Sequence, residues 1–417
     1  MTRLEQDDQD ASQVGRAETS WLKALSFAAR ATCHDCVMSF DAPSLDPDAL
    51  ELRIRPDGTP ENPMLIVPLD VWEAESPKRI ERVADALAGS LRLTIGVLRG
   101  PATARVTPLL RALTLTLAES TDPATPVVGC PDLAAALRRL EEAVQRNPRP
   151  SVALGRLLRE TVLLDTTAGL SAEAAVYSML LSGSEFQRWL AARGGPRAVT
   201  VPDRPLIRAD RGGSALNVVL DHPERRNALS FRLREELLEA LRVAEFDPGI
   251  EEVTLRGSGP AFCSGGDLDE FGSADDLVAA YLVRLERAPW RVIDRLRDRF
   301  SAHVHGACIG AGIEMAAFAG RLVAAPQTFF RLPEIEMGLV PGAGGTVSIP
   351  RRVGRWRAAW MMLTGEPVDV ATALRWHLID AVDNSAVQAV DPSRTRAGHA
   401  AESHRLDNNL PLREQSP

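Results

Sequence analysis

Two glutamates lie in apolar, glycine-rich surroundings and could act as a pair. Glu314 lies within the small-residue run GACIGAGIEMAAFAG (306–320), and Glu334 follows in RLPEIEMG. An unpaired charge is costly to bury, so an acid in such a run is paired, exposed or present for chemistry. One strand and a turn between the two acids could bring them to opposite sides of one site. Paired carboxylates in different environments can divide the roles of general base and general acid.

Two glycine-rich turns, at Gly265–Gly266 and Gly310–Gly312, could complete such a site. Glycine lets a ligand approach the backbone closely, and the first N–H groups of a helix lack intrahelical acceptors. One N–H from each turn could hold a thioester oxygen as it gains negative charge. Removing one such donor commonly costs on the order of 2.7–4 kcal/mol of barrier. If a helix begins near Ala311, Glu314 borders the site of that oxygen.

Each candidate also has an ordinary structural explanation. Glu314 could face solvent or pair with Arg321, and Glu336 could replace Glu334 as the second acid. Charged residues are mostly exposed, so a single glutamate within a helix is usually structural. Two acids beside two glycine-rich turns are more typical of a catalytic cleft, and the LPE motif favours Glu334.

Other chemistries fit the sequence less well. The glycine-rich turns lack the third glycine of a dinucleotide fingerprint, and the chain contains neither a P-loop nor an HExxH motif. Ser264 in FCSGG lacks the preceding glycine of a nucleophile elbow. CHDC at 33–36 resembles half of a structural zinc site, but the sequence has no second such pair. Free thiols are therefore the better interpretation.

The composition is that of an ordinary soluble protein with two domains. The chain has 417 residues, 45% of them hydrophobic and 25% charged. A net charge of −8 argues against nucleic acid or an anionic membrane surface as the main partner. Five scattered cysteines do not form a disulfide framework. Neither an apolar run of membrane-spanning length nor a secretory leader is visible, so we expect a cytoplasmic protein.

Short apolar segments that alternate with turns and amphipathic helices predict an α/β fold. In the second half, the chemical motifs follow predicted strands, and Ser230 is placed to cap a helix. Strands are predicted within 51–57, 62–70, 91–100, 215–230, 251–271, 299–320 and 322–354, and helices at 77–90, 132–147, 150–164, 170–194, 231–246 and within 357–382.

Residues 205–382 resemble the crotonase (enoyl-CoA hydratase/isomerase) superfamily. Four motifs carry the resemblance in order, LDHPERRNALS, AFCSGGDLDEF, VHGACIGAGIEMA and FRLPEIEMGLVPGAGGT. The resemblance implies a ββα spiral in this half of the chain.

Roles for individual residues follow from the same resemblance. Gly266 and Ala311 would supply the two oxyanion N–H groups, although Ala311 occupies a position where many relatives have glycine. Glu314 would act as base towards the attacking water, and Glu334 would protonate the α-carbon. The residues implied to line the CoA or acyl group are Arg225, Arg226, Ala228, Gly266, Asp267, Leu268, Asp269, Ala311 and Gly342.

The chain departs from the family pattern after HLIDAV, where free-standing members continue into helices that complete the site and build trimers. Helices resembling that part lie in the first half instead, at AEAAVYSMLLSGSEFQRWLAARG (172–194). We therefore expect a loose terminus at 1–18, a degenerate, structural crotonase-like unit at 19–193, a linker at 194–204, a catalytic domain at 205–382 and a disordered tail at 383–417.

The resemblance implies an enzyme that acts on acyl-CoA thioesters, with hydration of a 2-enoyl-CoA to a 3-hydroxyacyl-CoA favoured. An enoyl-CoA isomerase, another hydrolase or lyase of this fold, and a scaffold subunit that binds a CoA ester without turnover are the alternatives. No metal or redox cofactor is implied, since CoA arrives with the substrate. Amphipathic helices across 132–194 predict a homo-oligomer, a trimer or hexamer.

Overall fold

The helices and strands follow the apolar patterns of the sequence. The computed structural model describes residues 47–119, 125–197 and 202–383. The helices in these ranges are α1 (Pro47–Leu50), α2 (Pro77–Gly89), α3 (Thr107–Ala112), α4 (Leu133–Arg146), α5 (Pro148–Thr161), α6 (Thr166–Leu181), α7 (Ser184–Arg193), α8 (Phe231–Phe246), α9 (Leu277–Glu286), α10 (Pro289–Arg295), α11 (Ala311–Ala316), α12 (Gly345–Val353), α13 (Arg355–Thr364) and α14 (Val370–Arg375). The strands are β1 (Met64–Pro68), β2 (Leu93–Leu98), β3 (Leu115–Ala118), β4 (Val128–Gly129), β5 (Ile207–Gly212), β6 (Ala215–Leu220), β7 (Glu252–Gly257), β8 (Phe300–Val304), β9 (Ala307–Ile309), β10 (Arg321–Ala324), β11 (Phe329–Arg331), β12 (Val368–Asp369) and β13 (Ala381–Val382).

Three sheets organise these elements, and the α/β prediction is confirmed. The N-terminal sheet has the order β1-β2-β3-β4, and all its pairs are parallel. The largest sheet has the order β13-β10-β8-β7-β6-β5, with only the β5–β6 hairpin antiparallel. A third sheet, β12-β11-β9, lies beside the glycine-rich turn at Gly310. Because β9 and β11 are parallel, the turn at Gly310 and the segment after Arg331 lie at the same end of this sheet.

Several helices of the first half pack on helices of the second half. Helices α5 and α6 pack on α12, α4 and α5 pack on α13, and α6 packs on α9. One hydrophobic core therefore runs from β2 and β3 through these helices into the largest sheet. A second core is confined to the outer side of the N-terminal sheet, around Trp72 and Leu109. The first half thus covers the second half with its helices.

Helix starts agree with the capping residues in the sequence. The Asp132 side chain accepts a hydrogen bond from Ala135 N at 2.9 Å, and Ser230 Oγ accepts one from Leu233 N at 3.3 Å. A side-chain acceptor at this position satisfies a donor that the first helical turn leaves free.

Two predicted elements differ in the structure. The strand predicted at 51–57 is wrong, because Gly58 closes a turn onto Arg55 O and Asp57 accepts from Thr59 N, leaving only an isolated bridge between Ile54 and Pro60. The single helix predicted at 170–194 is two helices, α6 and α7, since the chain turns at 182–183.

Candidate active site

Glu314 is buried and held by the backbone. Helix α11 begins at Ala311, as the sequence predicted, and Glu314 lies in its first turn with 2% of its surface exposed. Its Oε2 accepts hydrogen bonds from Ala343 N at 2.7 Å and from Gly345 N at 3.0 Å. These donors take the place of Arg321, the cation that the sequence offered as a partner. A carboxylate that accepts backbone N–H bonds can be buried without a counter-ion.

Glu334 begins a single 3-10 turn, Glu334–Met337, and 9% of its surface is exposed. A methyl group built on Gly310 would lie 2.5 Å from Glu334 Oε1, so this carboxyl group lies directly against the second glycine-rich turn. Its Oε2 is buried with no hydrogen-bond partner among the residues described. The rival acid Glu336 is half-exposed and pairs with Arg331 at 2.6 Å. The structure therefore places Glu334, and not Glu336, at the site.

The two glycine-rich turns are adjacent, and each has an N–H in a suitable position. Gly265 O and Asp267 N both bond to the backbone of Leu229 in an isolated bridge, which leaves the N–H of Gly266 on the opposite side of the chain. Ala311 is the first residue of α11, where an N–H has no intrahelical acceptor. A methyl group on Gly310 would lie 3.6 Å from Gly265 Cα, which shows how closely the turns approach.

Burial is the largest cause of the raised pKa values at this site. It raises the pKa of Glu314 well above 4.5, and the nearby Glu334 and Glu173 add to the rise, whereas the two backbone donors oppose it. Burial also raises the pKa of Glu334 to about 8. The pair therefore keeps at least one proton near neutral pH. The N–H donors favour the carboxylate form of Glu314, and the unpartnered Oε2 of Glu334 is free to carry the proton.

A third buried glutamate, Glu173 on α6, was missed by the sequence analysis. It is 2% exposed and accepts hydrogen bonds from Gly344 N and Thr346 N, in the segment that also bonds Glu314. A signal for it existed, since Glu173 lies in the apolar run LSAEAAVYSMLL much as Glu314 lies in its own. Its partners are 171 and 173 residues away in sequence, which no local pattern reveals.

Gly342 lies under the same helix. A methyl group on Gly342 would lie 2.3 Å from Tyr177 Cδ2, so the ring of Tyr177 rests on the glycine backbone. The guanidinium of Arg284 lies 3.9 Å from the centre of the Tyr177 ring and donates to Gly342 O at 3.3 Å. Gly342 therefore contacts α6 and α9, and its predicted contact with substrate stays a prediction.

Three of the residues predicted to line the CoA form one polar cluster. Arg225 pairs with Asp267 at 2.6 Å and with Asp269 at 2.7 Å, and Arg193 of α7 pairs with Asp269 at 2.8 Å. These acids neutralise much of the charge of Arg225, so a phosphate would have to compete with them.

Arg226, Ala228 and Leu268 also belong to the group predicted to line the CoA. Arg226 is exposed, and its carbonyl accepts from Ser264 N at 3.1 Å, which ties this turn to the first glycine-rich turn. Ala228 is buried and Leu268 is partly exposed. Their contacts with CoA stay predictions.

Cys130, Cys263 and Cys308 are buried free thiols, whereas the CHDC motif at 33–36 lies outside the described residues. Within the described ranges, no three His, Cys, Asp or Glu side chains are grouped as metal ligands. No helix in the part of the chain that the structure covers is long and apolar enough to cross a membrane.

Comparison with known proteins identifies relatives of the second half. Residues 210–408 match the sequence model described as enoyl-CoA hydratase/isomerase. The "probable enoyl-CoA hydratase" of Bacillus subtilis is 31% identical over 44% of this chain and 72% of the relative. The 2,3-dehydroadipyl-CoA hydratase of Escherichia coli is 34% identical over 40% of this chain and 65% of the relative. The crystal structure of enoyl-CoA hydratase from Thermoplasma volcanium, 26% identical, covers 48% of this chain and 79% of that chain with a TM-score of 0.40.

Proposed function

Because this chain belongs to the enoyl-CoA hydratase/isomerase family, we propose that it adds water across the double bond of a 2-enoyl-CoA. The product is a 3-hydroxyacyl-CoA. One observation carries the proposal: two buried glutamates, Glu314 and Glu334, flank the glycine-rich turns and have different hydrogen-bond environments. Such a difference is what separates a base from an acid in one site.

The proposed reaction uses the site as follows. The thioester oxygen accepts hydrogen bonds from Gly266 N and Ala311 N, which stabilise the negative charge that develops on it. Glu314 takes a proton from water, and the resulting hydroxide oxygen bonds to the β-carbon. Glu334 gives its proton to the α-carbon, so that one water is added in total. Glu314 then releases its proton to solvent and Glu334 takes one up, which restores both glutamates.

The hydrogen bonds of the two acids support this division of roles. Hydration needs an unprotonated Glu314 and a protonated Glu334. The pKa of about 8 that burial gives to Glu334 keeps this acid protonated at neutral pH. Burial raises the pKa of Glu314 as well, and the N–H groups of Ala343 and Gly345 oppose this rise by stabilising its carboxylate.

We place the CoA along the turn from Arg225 to Ala228 and the loop from Asp267 to Asp269. Arg226 is the exposed cation of this region and is the residue most available to a phosphate. Gly266, Leu268, Ala311 and Gly342 would border the thioester and the acyl group. We further propose that the protein is cytoplasmic and forms a homo-oligomer, a trimer or hexamer. Self-association is supported by the exposure of several large apolar side chains on α6 and α9.

An enoyl-CoA isomerase is the second candidate. Glu314 Oε2 is engaged by two N–H groups, whereas Glu334 Oε2 has no hydrogen-bond partner among the described residues. One mobile proton on Glu334 would be enough to move a double bond between neighbouring carbons.

Mass spectrometry of the products distinguishes the candidates. We expect incubation with short, long and aromatic 2-enoyl-CoAs to yield a product heavier by one water, and Glu314→Gln to lower this rate by about 10²–10⁴-fold. Product of unchanged mass from a 3-enoyl-CoA, with no water added to any 2-enoyl-CoA, would establish the isomerase instead. Binding of CoA esters without either product would favour the scaffold interpretation.

A further inference from the structure

Glu173 makes three hydrogen bonds to a single turn of the other half of the chain. Its Oε1 accepts from Gly344 N at 2.7 Å, and its Oε2 accepts from Thr346 N at 2.8 Å and from Thr346 Oγ1 at 2.7 Å. The side chain is almost completely buried, so these bonds are not exchanged for bonds to water. Three donors to one buried carboxylate make a strong and geometrically defined contact.

The same turn binds Glu314 through alternate residues. The N–H groups of Ala343 and Gly345 point to Glu314, and those of Gly344 and Thr346 point to Glu173. The alternation depends on Gly344, whose φ of 93° lies in the left-handed region. The turn therefore lies between two glutamates, and its position relative to one depends on the other.

We propose that Glu173 is a positioning residue for the reaction, through which the first half of the chain completes the active site. It fixes the turn 343–346 so that two N–H groups remain directed at Glu314 and keep that carboxylate ready to act as base. The proposal rests on the hydratase function proposed above for Glu314. It gives α6 a role beyond covering an apolar surface.

The surroundings of Glu173 fit this role. Arg284 of α9 faces it with an opposite charge, and Glu314 and Glu334 face it with like charge, while Tyr177 lies one turn away on the same helix. A cavity of about 110 Å³ lies beside Glu173 and is lined by Arg284 and Arg291. Burial raises the pKa of Glu173 to about 7, against the effect of its three hydrogen bonds and of Arg284.

Two variants separate positioning from charge. Glu173→Gln and Glu173→Ala remove the negative charge equally, but the amide oxygen of glutamine can still accept one N–H of the turn. Thr161→Val is the matched control, because Thr161 Oγ1 donates to Thr346 O at 2.8 Å and touches the same turn without holding either donor to Glu314. Thr346→Val removes one donor to Glu173 and serves if Glu173→Ala does not fold.

The measurements are kcat and KM on an enoyl-CoA, and the pKa of Glu314 from carboxyl ¹³C NMR of the full-length chain, assigned with Glu314→Gln. We expect Glu173→Ala to lower kcat on the order of 10²-fold at similar KM, with Glu173→Gln and Thr346→Val between it and wild type. Thr161→Val should leave kcat near wild type. The pKa of Glu314 should rise in Glu173→Ala, because its carboxylate loses aligned donors.

Other results would overturn the positioning role. Loss of the neighbouring charge alone would lower the pKa of Glu314 and make the two Glu173 variants equal. An unchanged pKa, or a loss of kcat matched by Thr161→Val, would leave Glu173 as a structural residue only. If the wild type hydrates no enoyl-CoA, the proposed function fails, and the NMR titration still decides whether Glu173 holds the turn.

Discussion

At the scale of single residues, the site depends on how backbone N–H groups are distributed. Glu314 and Glu173 are both buried in apolar helices, and each is satisfied by N–H groups of one turn instead of by a cation. In the proposed reaction, Gly266 and Ala311 each direct an N–H at the thioester oxygen. Buried polar groups need partners, and the buried Oε2 of Glu334, which has none among the described residues, lies where substrate chemistry is proposed.

The Ala311 N–H can be tested by a substitution that leaves both catalytic glutamates unchanged. Ala311→Pro removes this donor, and proline is tolerated at the first position of a helix. We expect kcat for hydration to fall about 10²–10³-fold, because one of two oxyanion donors is lost. Ala311→Gly keeps the N–H and is the control. Equal activity of the two variants would exclude this donor.

The raised pKa of Glu334 predicts how stability depends on pH. Its folded pKa of about 8 exceeds the unfolded value of 4.5, so the native state binds more protons between these values. The free energy of unfolding should therefore fall as pH rises through this range, by about 1.4 kcal/mol for each unit of pKa shift. Glu334→Gln should be more stable than wild type at about pH 9 and similar to it at about pH 4. Urea unfolding at both pH values measures this, and a wild type that is equally stable at both would contradict it.

Some residues of the candidate site could be predicted from the sequence and others could not. Glu314, Glu334, Gly266 and Ala311 lie in local motifs with glycine, and the structure brings all four together. The partners of Glu173 could not be predicted, because Gly344 and Thr346 lie in the other half of the chain. The ion pairs of Arg225 with Asp267 and Asp269 could not be predicted either, because they form only when two loops meet.

At the scale of elements, α6 is one of the helices that connect the two halves. It supplies Glu173 and Tyr177 to the turn before α12, and it also packs on α9. The segment 271–298, which the sequence left unassigned, forms α9 and α10 and contributes Arg284. The periodicity of α6 and α7 predicted their helical state, but periodicity does not say which surface a helix covers.

The packing of α6 on the turn that precedes α12 can be tested at Gly342. Gly342→Ala would place a methyl group 2.3 Å from Tyr177 Cδ2, and such overpacking costs about 1–3 kcal/mol of stability. Combining it with Tyr177→Ala should recover part of this loss in a double-mutant cycle of urea unfolding. Gly212→Ala is the control, because open space surrounds that glycine. Additive effects of Gly342→Ala and Tyr177→Ala would show that α6 does not press on this turn.

At the scale of the whole molecule, exposed apolar side chains favour self-association. Met179 on α6 and Val278 and Leu282 on α9 are 58%, 69% and 57% exposed, and the two helices pack together. We expect light scattering to show a trimer or hexamer, and Val278→Glu with Leu282→Glu to lower the mass. Ile54→Glu, at an exposed apolar residue far along the chain, should not change it. A monomeric wild type would contradict the prediction.

Hydration itself is tested most directly by loss of the ultraviolet absorbance of the conjugated thioester. Wild type, Glu334→Gln and Glu336→Gln would be compared on crotonyl-CoA and on longer and aromatic enoyl-CoAs. We predict loss of absorbance with wild type and a loss at least 10²-fold slower with Glu334→Gln, on the order expected for a general acid. Glu336→Gln should keep the wild-type rate, because the carboxyl group of Glu336 pairs with Arg331. Absence of any loss with wild type, or an undiminished rate with Glu334→Gln, would contradict the assignment of this site to hydration.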